Sequence, residues 1–174
     1  MCLDAILKLF QKPKLPHPEE PKNPAQTMEN TYPAAIMEKW FDSYNVPVEN
    51  RDYFRNWLVV KLVKPLMFGW TEVPAMTYWD GTVRHIDIEP EYCNPGIFAH
   101  EAGGHGAYAL LSASQQADFT VLFDSMKNTD PKLVYLWSVN NYGLSDNVEG
   151  HAEVYRYWGD AMPEVLKIYY PKLF

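Results

Sequence analysis

A chain of 174 residues suits one domain, and an apolar share of 47% with 15% aromatics is enough for a sizeable core. A net charge of −7, from 22 acidic against 15 basic residues, argues against a phosphate-binding surface, so no nucleic-acid partner is expected. The only two cysteines, Cys2 and Cys93, make no disulfide framework, and no run approaches the ~20 apolar residues of a bilayer span.

Residues 1–10 carry Asp4 and Lys8 and lack the long apolar stretch and small-residue cleavage site of an export signal, which favours a cytoplasmic location. Ala5, Ile6, Leu9 and Phe10 fit either one helical turn that docks on the domain or on a protein partner, or a frayed terminus. Pro13, Pro16, Pro18, Pro21, Pro24 and Pro33 then follow within polar sequence. Proline at that density blocks helix and cannot bury apolar area, so residues 1–31 read as a proline-rich arm or linker. Residues 32–174 read as the folded domain.

Pro33 in a first turn, then Ile36, Met37, Trp40, Phe41 and Tyr44 at helical spacing, predict an amphipathic helix ended by Pro47. Asn50 is the expected cap of a second helix, with Phe54, Trp57, Leu58 and Leu62 on one face and Pro65 and Gly69 closing it. Asp80-Gly81, between aromatic and β-branched runs, predicts a hairpin. On its second strand Ile86 and Ile88 share one face and His85 and Asp87 the other. That strand, residues 82–88, is expected to offer an edge to which an extended peptide adds. A helix over about residues 95–111 follows. Ser112 and Gln115 form a capping box for the next helix, through Phe119, Leu122 and Phe123. Asp130-Pro131 opens another helix, with Leu133, Leu136 and Trp137 inward, broken at Tyr142-Gly143. A helix over about residues 145–158 comes next. Pro163 then starts a short C-terminal helix with Val165, Leu166 and Tyr169. The expected fold class is α+β, mainly helical, with a small β-hairpin or sheet before the helix of residues 95–111.

That helix carries His100-Glu101-Ala102-Gly103-Gly104-His105, and the helix of residues 145–158 carries Glu149-Gly150-His151-Ala152-Glu153. Two imidazoles and a carboxylate suit zinc and leave one tetrahedral position open, the arrangement of a catalytic site. The histidines stand five residues apart. In a regular helix five steps of ~100° separate side chains by ~140°, too far to grip one ion. A local i→i+5 turn would bring them onto one face, and Gly103 and Gly104 would ease it. The alternative use for the glycine pair is close packing of two helices. Glu149 and Glu153, four apart, share a helix face, so one can reach a metal while the other reaches a ligand imidazole. Gly150 is expected to let the two metal-bearing helices approach.

His-Glu-x-x-Gly-His followed by Glu-x-x-x-Glu resembles the dipeptidyl peptidase III family, gluzincin-type zinc metallopeptidases with the extended HExxxH motif. The resemblance covers about residues 98–155. It implies a zincin-like domain, His100, His105 and Glu149 as zinc ligands, Glu101 as catalytic base and Glu153 as the carboxylate supporting a ligand histidine. The chain is far shorter than that family, and Val148 stands where the family has another acid, so substrate preference does not carry over. The expected function is a zinc-dependent metallopeptidase acting on a peptide or protein substrate. The alternative is a non-catalytic, zinc-stabilised binding or structural module, a degenerate peptidase whose metal would be closed by a fourth ligand such as Cys93 or His151. A zinc hydrolase of non-peptide amides is a third reading. Tyr108, Tyr155, His151 and His85 are candidates for oxyanion or substrate contacts. His151 is favoured as structural, because two residues' spacing turns it away from Glu149, and Cys93 is read as structural.

Overall fold

The computed structural model describes residues 25–174. Cys2, the turn expected at residues 5–10 and most of the proline-rich arm therefore lie outside the described residues. Helix α1 spans Ala25–Ser43, starting before the boundary expected near Tyr32, with Pro33 inside it. A helix can carry an internal proline at the loss of one backbone hydrogen bond and with some bending. The stripe Ile36, Met37, Trp40 and Phe41 is buried, as its spacing predicts. Each such side chain gains about 1.5–3 kcal/mol on burial.

Helix α1 ends at Ser43 rather than Pro47, and Asn45 turns the chain at φ 52°. Helix α2 spans Val48–Trp57, with Pro47 at its N-cap. Asn50 lies inside the helix and is not its cap. The helix also stops earlier than expected: Leu58–Leu62 is a strand, β1. Val59 and Val60 are stiff, β-branched residues suited to extended backbone. Pairing with a neighbouring strand then satisfies their backbone groups, as burial demands.

Strands β2 (Met67–Phe68) and β3 (Thr71–Glu72) form a short ribbon apart from the main sheet. Strands β4 (Ala75–Trp79) and β5 (Arg84–Ile88) form the expected hairpin. Its turn is held by Asp80 Oδ1, which accepts from Thr82 N at 2.8 Å and Val83 N at 2.9 Å. Gly81 there takes φ 102°, open to glycine and strained for other residues. The sheet order is β1-β5-β4, with β1 parallel to β5 from Leu58↔Arg84 to Leu62↔Ile88. β5 is therefore central, paired on both sides. The edge expected on residues 82–88 is taken up by β1, and β4 is the sheet edge on the hairpin side.

Asn94 caps the next helix by accepting from Ile97 N. The helix runs as α3 (Pro95–Phe98), a π-helical segment (Ala99–His105) and α4 (Gly106–Leu110). The capping box of Ser112 and Gln115 starts α5, Ala113–Met126. Asp130 caps α6, Pro131–Val139, and Asp146 caps α7, Asn147–Trp158. Between them lies a 3-10 turn, Tyr142–Leu144. The C-terminal segment Glu164–Tyr169 is a 3-10 helix, with Leu166 buried and Val165 exposed.

Trp40 joins the elements: its ring lies 5.2 Å from Phe54 of α2 and 6.2 Å from Phe98 of α3, centroid to centroid. Ile86 and Ile88 of β5 close this core from the sheet side. The fold is α+β and mainly helical. No helix among the described residues is long and apolar enough to cross a membrane.

Candidate metal centre

The site begins with a backbone irregularity. Gly106 N–H donates to the carbonyl of Glu101, an i→i+5 bond within the π segment. That wider turn puts His100 and His105, which a regular helix would splay apart, side by side. Their Nε2 atoms are 3.1 Å apart, and the rings meet edge to face with centroids 4.7 Å apart.

The glycine pair within the turn serves the neighbouring helix as well. A β-carbon on Gly103 would stand 2.2 Å from the Tyr155 ring, and one on Gly104 would stand 2.3 Å from Ala152 Cα. Bare backbone here lets α7 lie against the π segment at a distance no side chain would permit. Gly150, expected to serve this approach, does not: it faces Phe123 of α5 and the Gly143 carbonyl. Its small size lets α5 and the Tyr142–Leu144 turn close on α7.

The close approach brings Glu149 to the histidines. Its Oε2 is 3.3 Å from His100 Nε2 and 3.5 Å from His105 Nε2. That oxygen is buried without a well-directed hydrogen bond. His100, His105 and Glu149 form a group able to hold a metal ion, with neither Cys93 nor His151 in it. Zinc bonds of about 2.0–2.1 Å in a tetrahedral set space neighbouring donors about 3.3–3.4 Å apart. The three observed spacings bracket that value, so the donor triangle fits zinc in chemistry and in size.

Glu153, one turn further on α7, places Oε1 2.8 Å from His100 Nδ1. It is 1% exposed and held in turn by two groups: Arg156 donates to Oε1 at 3.0 Å, and Asn140 Nδ2 donates to Oε2. With Nδ1 engaged, His100 presents Nε2 to the triangle. Glu101 follows His100 in the turn, is 6% exposed, and accepts no hydrogen bond from the described residues.

Charge and burial compete throughout this cluster. Burial opposes charge on Glu149, yet the two imidazoles facing it hold its carboxyl well below the usual range. Burial also opposes a proton on His100, but Glu149 and Glu153 outweigh it and push its pKa up to about 9. Glu153 is lowered, with His100 and then Arg156 overcoming burial. Glu101 goes the other way: burial raises it despite the nearby His105 and His100. Two carboxylates are thus set to stay ionised and a third to hold a proton more readily, a separation of roles within one site.

Of the residues singled out in the sequence, His100, Glu101, His105, Glu149 and Glu153 come together here. The four candidates for oxyanion or substrate contact make contacts with other partners. His151 is fully buried, stacked 3.8 Å from Tyr170, with Nε2 donating to the Tyr169 carbonyl at 2.8 Å. Burial pulls its pKa down to about 3, so it is a neutral core group. Tyr155 is fully buried beneath Gly103. Tyr108 packs edge to face on Phe119 and His151. His85 stacks on Tyr78, with Nε2 2.7 Å from Asp80 Oδ2 on the hairpin. Cys93 is buried in the core.

Tyr142 is the site tyrosine that sequence reasoning passed over as a helix breaker. Its ring lies 6.2 Å from that of His100, and it is 53% exposed, at the mouth of the cluster. Burial of part of its ring, then the charge and hydrogen bonding of Glu149, raise its hydroxyl pKa. Asn140 was also missed. Nothing local marks either residue, because the turn after α6 brings them to the site. Arg156, three residues after Glu153, was legible as an ion pair one turn along a helix.

No family model, curated protein or solved structure matches this chain.

Proposed function

We propose that this chain is a zinc-dependent metallopeptidase of gluzincin type, with a zincin-like domain, acting on peptide or protein substrates. The observation that carries the reading is the donor triangle: His100 Nε2, His105 Nε2 and Glu149 Oε2 spaced 3.1, 3.3 and 3.5 Å apart, beside a raised glutamate. Zinc, when bound, supplies a Lewis acid that polarises a peptide carbonyl and acidifies a water molecule.

The chain's own residues do the rest. Glu101 takes the proton of the attacking water and returns it to the leaving amine. Burial raises its pKa above the ordinary carboxyl value, which favours a group that both takes and returns a proton. Glu153, clamped by Arg156 and Asn140, fixes the orientation of His100. The Tyr142 hydroxyl, at the rim beside Glu149, donates to the oxygen that gains charge as the carbonyl is attacked. The edge of β4, unpaired among the described residues, supplies backbone groups to which an extended peptide can add as a strand.

A structural zinc is closed by four protein ligands, and a triangle containing neither Cys93 nor His151 favours the catalytic reading over a zinc-stapled binding module. The test is metal analysis of the purified protein together with Glu101→Gln. One bound zinc should persist in the variant while peptide hydrolysis disappears. Full hydrolysis by Glu101→Gln removes Glu101 from the role, and failure to bind zinc removes the reading entirely.

A further inference from the structure

Arg51, Arg55 and Arg156 each hold a carboxylate: Asp42, Glu38 together with Asp52, and Glu153. Arg84 forms no ion pair among the described residues. Yet it is half-buried, with its Nε sealed from solvent and without an acceptor. A guanidinium keeps its charge under all ordinary conditions. Burying it without a hydrogen-bonded carboxylate is costly.

Its surroundings tie it to the motif helix. Arg84 starts β5, paired with Trp79 on one side and Leu58 on the other. It shares the strand face of Ile86 and Ile88, which face the core. Its guanidinium carbon lies 5.3 Å over the Trp57 ring. Trp57 in turn stacks on Tyr53 at 5.2 Å and lies 6.4 Å from Trp79. Trp57 also reaches the motif helix: a β-carbon on Gly106, the residue after His105, would touch its ring at 3.4 Å. A chain of direct contacts thus runs from Arg84 through Trp57 to the residue next to a metal ligand. Glu101 is close enough for its charge to act on Arg84. Trp57 packs against the guanidinium, and the partial burial of Arg84 strengthens its attraction for a carboxylate that reaches its exposed side.

We propose that Arg84 is a substrate-binding residue that receives a carboxylate of the peptide beside the metal group, making the protein selective for carboxylate-bearing substrates. The proposal rests on the peptidase reading above for its location at a cleavage site. The carboxylate can be the peptide's free C-terminus or an acidic side chain, and the two are separable.

The probes are an N-acetylated alanine hexapeptide with a free C-terminus, its C-terminal amide, and amidated forms bearing one Glu or one Gln. With zinc-loaded protein, kcat/KM should favour one carboxylate form over its neutral twin by roughly tenfold to a hundredfold, the range of a charge-assisted hydrogen-bonded pair. Preference for the free terminus identifies the C-terminal carboxylate, and preference for Glu over Gln the side chain. Arg84→Met should bring that ratio to about one, and Arg84→Lys, which keeps charge without the fork, should retain part of it. The same ratios are read as affinities, by tryptophan fluorescence, in zinc-loaded Glu101→Gln. If the wild type cleaves none of the probes while binding still discriminates through Arg84, the peptidase reading fails and Arg84 stands. A wild type that treats carboxylate and neutral probes alike overturns the proposal without the help of any variant. So does an Arg84→Met protein that keeps the preference.

Discussion

Gly104→Ala tests the geometry on which the site depends. A β-carbon there would lie 2.3 Å from Ala152 Cα and 2.6 Å from Ala152 Cβ. Carbon pairs rest at about 3.5–4.0 Å, so the π segment and α7 must part by roughly 1 Å. No rotamer relieves the overlap, because the obstacle is backbone. Alanine gains about 1 kcal/mol over glycine in helix propensity, while overpacking a close contact costs about 1–3 kcal/mol, sometimes more. A backbone obstacle places the cost at the upper end, so the expected net loss is about 2 kcal/mol. Ala152 sits between Glu149 and Glu153, so the same shift draws both carboxylates from the histidines. Zinc affinity should fall by about tenfold to a hundredfold, as when support of a ligand is lost. Urea unfolding in chelator reads the first effect, and competition with a chromophoric zinc chelator reads the second. Gly106→Ala is the control in the same helix: its β-carbon meets Trp57 at an ordinary 3.4 Å, so it should be neutral or stabilising by up to about 1 kcal/mol. The reasoning is refuted if Gly104→Ala matches Gly106→Ala in stability and binds zinc like the wild type.

Three further outcomes are expected from the same geometry. Glu153→Gln removes the carboxylate charge at His100 Nδ1 and should weaken zinc binding by about tenfold to a hundredfold, read by the same competition assay. Tyr142→Phe should lower kcat by roughly a hundredfold to a thousandfold, the loss typical of one oxyanion donor, with zinc content unchanged; steady-state kinetics and metal analysis decide it. Asp80 is held below the ordinary carboxyl value of 3.8 by the Val83 N–H, the His85 ring and the Thr82 N–H. Its lowered folded-state pKa adds stability that is present above 3.8 and is lost as pH falls through the lowered value. Asp80→Ala should therefore show a shallower loss of stability in acid unfolding followed by circular dichroism.

Local chemistry was legible wherever a residue acts on its immediate neighbours. Ser112 and Gln115 cap α5, and Asp80-Gly81 turns the hairpin, because both devices close within a few residues. The π turn was legible for a related reason: two ligand-type histidines five apart are incompatible with a regular helix. Leu58-Val59-Val60 failed because a short apolar run fits helix and strand alike, and only its pairing with β5 decides. The sheet edge failed with it, since β1 occupies the side of β5 that the hairpin alone leaves open. Tyr142 and Asn140 were invisible as site residues because each reaches the cluster through tertiary packing. Tyr108 and Tyr155 stand near the motifs in sequence, yet their helices turn them into the core.

The two explanations that the sequence offers for Gly103-Gly104, an i→i+5 turn or close helix packing, prove to be one device. The turn by itself would aim His100 and His105 at a common point, but a third ligand must arrive from another helix. Glu149 has limited reach, and with α7 packed directly on the bare backbone of Gly103 and Gly104 its Oε2 stands 3.3 and 3.5 Å from the two nitrogens. Of the four residues between the two histidines, Gly103 and Gly104 are the ones that face α7, so a side chain on either would restore the gap that the turn had closed. Glycine at both positions satisfies the turn and the approach together. This also explains why two residues that weaken a plain helix by about 1 kcal/mol each sit at the buried centre of the molecule rather than at a helix end.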